Sequence, residues 1–391
     1  MFRAQKPPAK NVSGPHGREP HANGPRVSGS RPVSRRSMLA LVSLPLLAAA
    51  RLPGAAAGGS GDAVLVTDHA TPQLAADAAA GKRLVFPAGR TYTVTSLSIP
   101  AGCHVEGNGA TLRFPDRSTT STTHSDEILA VRGSGVTLDN LRFDGRAPHQ
   151  GGVWSQYRHC VRIQGNVSDV VVKDCAFTGI IGDGVYVNIG NSARNCTVGP
   201  GNTFTSDHFN RNGVSVVSGT RIEVHHNKFV NCSRSGMPGP IDLEPNSSTE
   251  TLSDVSVHHN TVVGGSENGT GTLPGIVYSG FQNAAADTIN IHDNDISGTR
   301  FTDGILIIGI SGGPFNAVTN LNVFGNRIHD IGGADTFGVG INHYIGANVY
   351  GNTFSGMQWA IYNYKGALGT SAGNTFIGVA ADITNDDPHL A

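Results

Sequence analysis

Short runs of alternating apolar and polar residues recur along the chain from residue 136 onward. Each run ends with a polar step, then Asn or a small residue, one further position, and a closing apolar residue. Successive closing residues are separated by between 22 residues (354 to 376) and 34 residues (143 to 177). A strand unit repeated with loops of unequal length predicts the coils of a β-solenoid. The closing residues are Phe143, Phe177, Phe204, Phe229, Val262, Ile296, Ile328, Phe354 and Phe376.

A second strand in each coil begins with Gly followed by Val or Ile. Alternate residues of a strand face opposite sides, so one apolar position per coil is predicted to stack into an inward column. That column consists of Val185, Val214, Ile241, Ile276, Ile305, Val339 and Ile361. A column of asparagines is predicted at a turn, where Asn tolerates left-handed backbone and its amide bonds to the next coil. It contains Asn202, Asn227, Asn260, Asn294, Asn326, Asn352 and Asn374.

These columns predict an all-β protein, a right-handed parallel β-helix without long helices. The 52 glycines among 391 residues agree with many short strands and tight turns. The alternation of Gly-Val strands with Asn columns resembles the pectate-lyase-like right-handed parallel β-helix superfamily over most of residues 85–380. In that resemblance the short Ala-rich helix predicted at 74–80 caps the open end of the solenoid. We expect residues 58–391 to form this single domain.

Residues 1–57 are predicted to be an export signal and a disordered N-terminal region. Arg35 and Arg36 precede the apolar run 39–50, and small residues follow at 55–57. This arrangement resembles a twin-arginine signal peptide. Pro45 and Arg51 interrupt the run, which is too short to span a bilayer. The prediction is a protein secreted by the twin-arginine route, with no membrane association after the signal is removed.

Removal of the signal changes the charge of the protein. Residues 58–391 carry 19 Lys and Arg against 28 Asp and Glu, a formal net charge of −9. This balance argues against nucleic acid as a partner, because nucleic-acid binding needs a basic surface. Five cysteines without a C-x-x-C pair predict neither a zinc site nor a disulfide framework, although one disulfide stays open. We expect a monomer.

The outward positions of the Gly-led strands are predicted to form the floor of a groove, because the longest insertions precede these strands and would build its walls. Polar and charged residues concentrate there between residues 158 and 244, whereas later coils carry apolar or neutral side chains. The predicted substrate-binding residues are Arg158, Arg162, Tyr186, Asn188 and Ser215, with Trp154 and Tyr157 in the first long loop.

Asp242 and Glu244 form the sharpest motif. Two residues apart on one strand, their carboxylates are predicted to project on the same side, with Cα atoms roughly 6.6 Å apart. One mechanism is glycoside hydrolysis, in which one carboxylic acid protonates the leaving oxygen and the other activates water. The other is Ca²⁺ binding by Asp242 and Glu244 together with Asn212, Asn188 or Asp183. A nearby base, Arg211, His159 or Tyr186, then removes the C5 proton of a uronate for elimination or epimerisation. A solvated acidic surface paired with arginines is the structural alternative.

The predicted function is therefore a secreted polysaccharide-processing enzyme, a lyase or a glycoside hydrolase, whose partner is a polysaccharide substrate. Alternatives are a uronate C5-epimerase and a non-catalytic β-helix that binds glycan or cell wall. Ca²⁺ is the one cofactor that the residues leave open. The polygalacturonase motifs of the superfamily are absent, and no lysine comes soon after the Asp-x-Glu strand as it does in some β-helix lyases. The predicted catalytic residues are Asp242, Glu244, Asp183, Arg211 and His159.

Two histidine doublets stand apart from this groove, at 225–226 and 258–259. Adjacent strand residues face opposite ways, so each doublet is predicted to contribute one outward histidine. The interpretation is a stacked histidine ladder at a turn.

Overall fold

The computed structural model describes residues 63–188, 193–264, 273–280, 285–299, 301–309, 319–333 and 335–385. The predicted signal and its boundary with the domain lie outside these ranges. Three long parallel sheets dominate the described chain, with 12, 11 and 11 strands. Each coil contributes one strand to each sheet in turn. The fold is therefore the predicted parallel β-helix.

Sheet A contains β1 (Ala63–Leu65), β2 (Arg83–Val85), β5 (His104–Glu106), β8 (Thr137–Asp139), β11 (Ser168–Lys173), β14 (Ala193–Val198), β17 (Gly219–His225), β20 (Thr251–His258), β23 (Ala285–His292), β26 (Thr319–Phe324), β29 (Ile345–Tyr350) and β32 (Ala367–Leu368). Sheet B contains β3 (Thr91–Thr93), β6 (Thr111–Arg113), β9 (Arg142–Asp144), β12 (Ala176–Thr178), β15 (Thr203–Thr205), β18 (Lys228–Val230), β21 (Thr261–Val263), β24 (Asp295–Ser297), β27 (Arg327–His329), β30 (Thr353–Ser355) and β33 (Thr375–Ile377).

Sheet C carries the Gly-led strands. It contains β4 (Leu97–Ile99), β7 (Asp126–Val131), β10 (Arg158–Ile163), β13 (Asp183–Val187), β16 (Asn212–Val216), β19 (Ile241–Leu243), β22 (Ile276–Ser279), β25 (Asp303–Ile308), β28 (Phe337–Asn342), β31 (Trp359–Tyr364) and β34 (Ala381–Asn385). The inward column predicted for these strands is confirmed, because each member pairs with the next and is fully buried.

The nine closing residues of the repeat pair with one another along sheet B. In the first four of the coils that carry them, these residues form a stack of phenylalanine rings whose centroids are 4.5–4.9 Å apart. The leading glycine of the sheet C strand makes room for this stack: a Cβ on Gly213 would lie 2.6 Å from Phe229 Cδ1. The Gly-Val pairing and the aromatic repeat are thus two parts of one packing arrangement.

The asparagine column is confirmed as a buried ladder. Asn260 is typical: its Nδ2 donates to Val224 O at 2.8 Å and to Asn294 Oδ1 at 3.0 Å. The left-handed backbone, however, belongs to the residue before each ladder asparagine, such as His259 (φ 53°). The ladder residue itself uses both ends of its amide to join coils.

A short helix covers the N-terminal end of the solenoid, as predicted. It spans Pro72–Ala78 and begins two residues earlier than expected, because Thr71 caps it with Oγ1 accepting from Leu74 N at 3.2 Å. Within the helix, Ala75 and Ala76 are fully buried. All five cysteines are buried and unpaired. Among the residues described, no helix has the length and apolar character needed to cross a membrane.

Candidate active site

The outward positions of sheet C line up across four successive coils as the repeat predicts. Arg162 pairs with Tyr186, Tyr186 with Ser215, and Ser215 with Asp242. The next coil places Val277 in the same column. The change from polar to apolar side chains therefore occurs immediately after the coil that contains Asp242 and Glu244.

Arg211 lies at the centre of three carboxylates, and we refer to Asp183, Arg211, Asp242 and Glu244 as the Arg211 cluster. Arg211 Nη1 donates to Asp183 Oδ2 at 3.3 Å and to Ser215 Oγ at 3.0 Å. Its Nη2 donates to Asp242 Oδ2 at 3.2 Å and also to Glu244. One guanidinium thus binds carboxylates from the coil before its own and the coil after it.

The cluster contains more negative than positive groups, and burial makes this imbalance matter. Burial raises the pKa of Asp242 well above its usual value, and the charge of Glu244 and a hydrogen bond to it raise this pKa further. Asp242 Oδ1 has no hydrogen-bond partner among the described residues. Asp242 therefore holds its proton to a higher pH than a free carboxyl group does, which makes it, beside Glu244, a candidate buried acid.

Arg211 responds in the opposite way. Burial alone would lower its pKa, but the three carboxylates outweigh burial and raise the pKa above its ordinary value. Arg211 is therefore a fixed cation. The alternative in which Arg211 acts as a base has no support in this arrangement.

The groove expected above these residues is not open at Asp242. Asp183 and Asp242 are fully buried, and Glu244 is 5% exposed. The Arg211 side chain keeps 13% of its surface exposed. The two carboxylates project outward as predicted, but the cluster reaches solvent only along its Glu244 and Arg211 edge.

The candidate Ca²⁺ site does not fit a cation in this arrangement. Arg211 already supplies the positive partner of Asp242 and Glu244. Asn212 uses its side chain within the protein, since its Oδ1 accepts from Ser215 Oγ at 3.1 Å and its Nδ2 donates to Gly239 O. These residues hold a guanidinium, whereas Ca²⁺ takes roughly six to eight oxygen ligands of its own.

His159 and Tyr186 form a stacked pair beside the cluster, with ring centroids 4.4 Å apart. His159 Nδ1 accepts from the Asp183 backbone N–H at 3.2 Å, so that nitrogen is occupied. Burial raises the pKa of Tyr186, and the charge of Asp183 adds to this shift. Both rings are buried, and His159 holds the Asp183 backbone while Tyr186 packs on His159.

Two predicted substrate-binding residues are structural. Arg158 is 1% exposed; it pairs with Asp126, donates to Thr119 Oγ1 at 2.7 Å and lies 3.8 Å above the Phe114 ring. Asn188 has a left-handed backbone (φ 49°) and bonds through its side chain to the N–H and C=O of Gly165. Their polar groups bond to other parts of the β-helix, so neither residue is available to a substrate.

A pocket of about 340 Å³ lies beside the first long loop, which carries the two predicted aromatic residues. Trp154 lines it, with Nε1 donating to Ile181 O at 2.8 Å and with Arg234 stacked 4.4 Å above its ring. Phe209 also lines the pocket and is 46% exposed. Tyr157, 45% exposed, is not among the lining residues. Ile181 precedes Asp183 by two residues, which places the pocket beside the N-terminal end of β13.

Phe209 and Arg234 were missed in the sequence. Both lie in insertions between strands, where no repeat assigns a residue to a face. The available signal was an aromatic residue in the 205–211 insertion and an arginine in the 232–239 insertion. Arg162, in contrast, lies where predicted: its side chain is 20% exposed and 3.7 Å from Glu127.

Comparison with known proteins gives likeness in structure only. No protein-family model matches the sequence, and no curated protein matches it. Among solved structures, PfbA, a surface adhesin of Streptococcus pneumoniae, is similar at a TM-score of 0.56 and 14% identity, over 82% of this chain and 93% of PfbA. A polygalacturonase from Erwinia carotovora gives 0.53 and 11%, over 80% and 92%.

An exopolygalacturonase from Thermotoga maritima is also similar, at a TM-score of 0.53 and 11% identity over 83% of this chain and 91% of the enzyme. An adhesin and two enzymes thus share the architecture. Identities this low show the fold alone. That fold is the right-handed parallel β-helix of the pectin-lyase type.

Proposed function

We propose that this right-handed parallel β-helix protein of the pectin-lyase fold binds a polysaccharide across the outward face of sheet C and hydrolyses it. The observation that carries the proposal is the buried acid formed by Asp242 and Glu244 against the fixed cation Arg211. A carboxyl group that holds its proton to a higher pH than usual is what a general acid requires. Three carboxylates around one guanidinium cost stability, so their retention favours a functional role.

In the proposed reaction, Glu244 meets the substrate because it stands at the solvent-accessible edge of the cluster. The proton shared by Asp242 and Glu244 passes to the glycosidic oxygen as the C–O bond breaks. The water that adds to the sugar returns one proton to the pair, so the acid is regenerated. Arg211 keeps its charge throughout and holds the carboxylates in place.

Hydrolysis is favoured over elimination or epimerisation by the state of the candidate bases. Arg211 holds its proton more tightly than a free guanidinium, and the Tyr186 phenol has a raised pKa. His159 Nδ1 already accepts a hydrogen bond. None of the three is suited to remove a proton from carbon near neutral pH.

Substrate binding is proposed for the pocket beside β13. Trp154 and Phe209 offer apolar ring surface to a sugar, and Arg234 offers a cation to a carboxylate or hydroxyl group. Arg162 extends the same surface along the outward column. We further propose that the protein works outside the cell after twin-arginine export of residues 58–391.

The test is a screen of the purified full-length protein against a panel of polysaccharides. Hydrolysis predicts new reducing ends without an ultraviolet-absorbing unsaturated sugar. Asp242→Asn and Glu244→Gln are each expected to lower turnover at least about 100-fold, because the shared proton is lost, while the fold is kept. Asp295→Asn is the matched control, since it makes the same change in a half-exposed ion pair on sheet B and should leave turnover unchanged.

The other functions give distinct results in the same screen. An unsaturated product would indicate a lyase, and a changed uronate configuration without cleavage an epimerase. Binding without any product, unaffected by Asp242→Asn, would indicate a glycan- or cell-wall-binding protein. The complete burial of Asp242 is the observation that favours this last candidate over the other two.

A further inference from the structure

Histidines form two parallel columns at the edge of sheet A, on a different sheet from the Arg211 cluster. The first column ends strands β17, β20 and β23 and comprises His225, His258 and His292. Its rings are stacked, with centroids 5.1 and 4.8 Å apart. The stack continues through Phe324 and Tyr350 at 4.6 and 5.1 Å.

The second column consists of the residues that follow: His226, His259 and Asp293. Each has a left-handed backbone, with φ of 51°, 53° and 52°. The expectation that neighbouring histidines face opposite ways is therefore wrong, because it holds only while the strand continues. The turn brings each second ring against the first: Nδ1 of His225 and His226 are 3.0 Å apart, and those of His258 and His259 are 2.9 Å apart.

The second-column rings of His226 and His259 also stack, with centroids 4.8 Å apart, but the first column does not depend on them. Where the stack continues in later coils, the second-column positions are Gly325 and Gly351, also left-handed. The aromatic stack is therefore maintained without any side chain beside it. Asp and His both tolerate left-handed backbone, and Gly adopts it without any side chain. Two successive coils carry histidine at this position, where later coils carry Gly. These imidazoles add nitrogen donors that the scaffold does not require.

We propose that His226, His258 and His259 bind a first-row transition-metal ion such as Zn²⁺, with His225 adjacent as a further ligand. One ligand nitrogen from each of the three lies within 4.8 Å of the others. Two nitrogens on a tetrahedral Zn²⁺ with bonds of about 2.0 Å are roughly 3.3 Å apart. Rotation of the three partly exposed rings about their side-chain bonds would bring their nitrogens from within 4.8 Å to this spacing.

The donor set determines the class of ion. Neutral imidazoles suit Zn²⁺, Ni²⁺ and Cu²⁺, whereas Ca²⁺ and Mg²⁺ prefer oxygen ligands. Unperturbed histidine is mostly neutral above pH 7. The ligands come from consecutive coils, so a bound ion would link the edges of β17 and β20 and stabilise them against separation.

Zinc titration of the purified full-length protein by calorimetry at pH 7.5 tests the proposal. We expect about one Zn²⁺ per chain and a rise in melting temperature with Zn²⁺. The triple variant His226→Asn, His258→Phe, His259→Asn should bind at least tenfold more weakly. Asn is compatible with left-handed backbone, and Phe preserves the stack as at Phe324, so the variant is designed to fold.

The matched control replaces three histidines outside the two columns: His69→Asn, His104→Asn and His149→Asn. It should bind Zn²⁺ like the unchanged protein. Equal binding by the triple variant, or no saturable binding by the unchanged protein, would overturn the proposal. Co²⁺ provides a separate readout, since four-coordinate Co²⁺ absorbs strongly in the visible range. Asp242→Asn should leave the titration unchanged, so this result is independent of polysaccharide cleavage.

Discussion

The asparagine ladder and the Arg211 cluster are both columns of buried polar side chains that span successive coils, but they are balanced differently. Each ladder amide is neutral and bonds to the coils on either side, as Asn227 and Asn260 do through Asn227 Nδ2 and Asn260 Oδ1 at 3.0 Å. The cluster sets three carboxylates against one guanidinium and leaves Asp242 Oδ1 without a partner among the described residues. A ladder of this kind stabilises the fold, whereas the cluster costs stability and needs another reason to exist.

A second contrast lies within sheet C. Asp183 and Asp303 both stand immediately before the leading glycine of their strands. Arg211 contacts Asp183 at 3.3 Å, whereas the partner of Asp303 among the described residues is Thr302, whose Oγ1 donates to it at 2.8 Å. Burial raises the pKa of Asp303 to about 7. The same position in the repeat therefore holds a carboxylate paired with an arginine in one coil and a carboxyl group hydrogen-bonded to a threonine hydroxyl in another.

The largest effect is expected from Arg211→Leu. Removing the guanidinium leaves three carboxylates buried without a cation, which costs about 3–5 kcal/mol of unfolding free energy. The loss should be smaller at pH 5 than at pH 8, because protonation relieves the repulsion. Urea unfolding at both pH values measures it.

Arg162→Leu is the control for that measurement. Arg162 lies on the same outward face, 3.7 Å from the buried carboxylate of Glu127, which also has Arg132 at 3.6 Å. Because Glu127 keeps a second cation, the loss should be less than about 1 kcal/mol. Similar losses for the two variants would mean that the cluster is an ordinary ion pair, and the contrast with the ladder would disappear.

A smaller effect, of opposite sign, is expected from Asp303→Asn. The folded-state pKa is raised above the unfolded value, so the folded protein retains a proton that the unfolded chain releases. Stability should therefore fall by up to about 1.4 kcal/mol per pH unit between roughly pH 4 and 7. The variant removes this loss and should be more stable at pH 8 by roughly 2–4 kcal/mol, with little difference at pH 4.

Thermal unfolding across this pH range provides the measurement. The diagnostic feature is the slope: stability of the unchanged protein should decline over that interval more steeply than that of Asp303→Asn. Parallel curves would show that Asp303 is ionised at little cost, and its contrast with Asp183 would then carry no energetic meaning.

The columns of the solenoid could be predicted because they depend on local rules. Alternation assigns Val185 or Ile241 to the interior wherever its coil begins. Burial of the Arg211 cluster could not be predicted in this way, since the insertions that surround it follow no period. Arg158 was misassigned for a different reason: its partners Asp126 and Phe114 belong to earlier coils, and the repeat was read only from residue 136 onward.

The histidine columns illustrate a signal that was present and misread. Other coils carry Asn140, Asp174, Gly325 or Gly351 three residues before the closing residue of the repeat. All are types that tolerate left-handed backbone. His226 and His259 occupy the same position. Comparing coils at that position would have predicted the turn, and with it the contact between adjacent rings.

The smallest effect, and the sharpest test of the ladder, is Asn260→Ala. Asn260 Oδ1 accepts from Asn227 N at 3.1 Å, and its Nδ2 donates to Val224 O. Alanine leaves these buried groups unpaired, which should cost about 1–3 kcal/mol. Asn322→Ala is the control, because Asn322 belongs to a partly exposed asparagine row in which water can replace the amide. Its cost should stay within about 0.5 kcal/mol. Equal costs in urea unfolding would show that stacking of asparagines, and not burial of their hydrogen bonds, is what stabilises the coils.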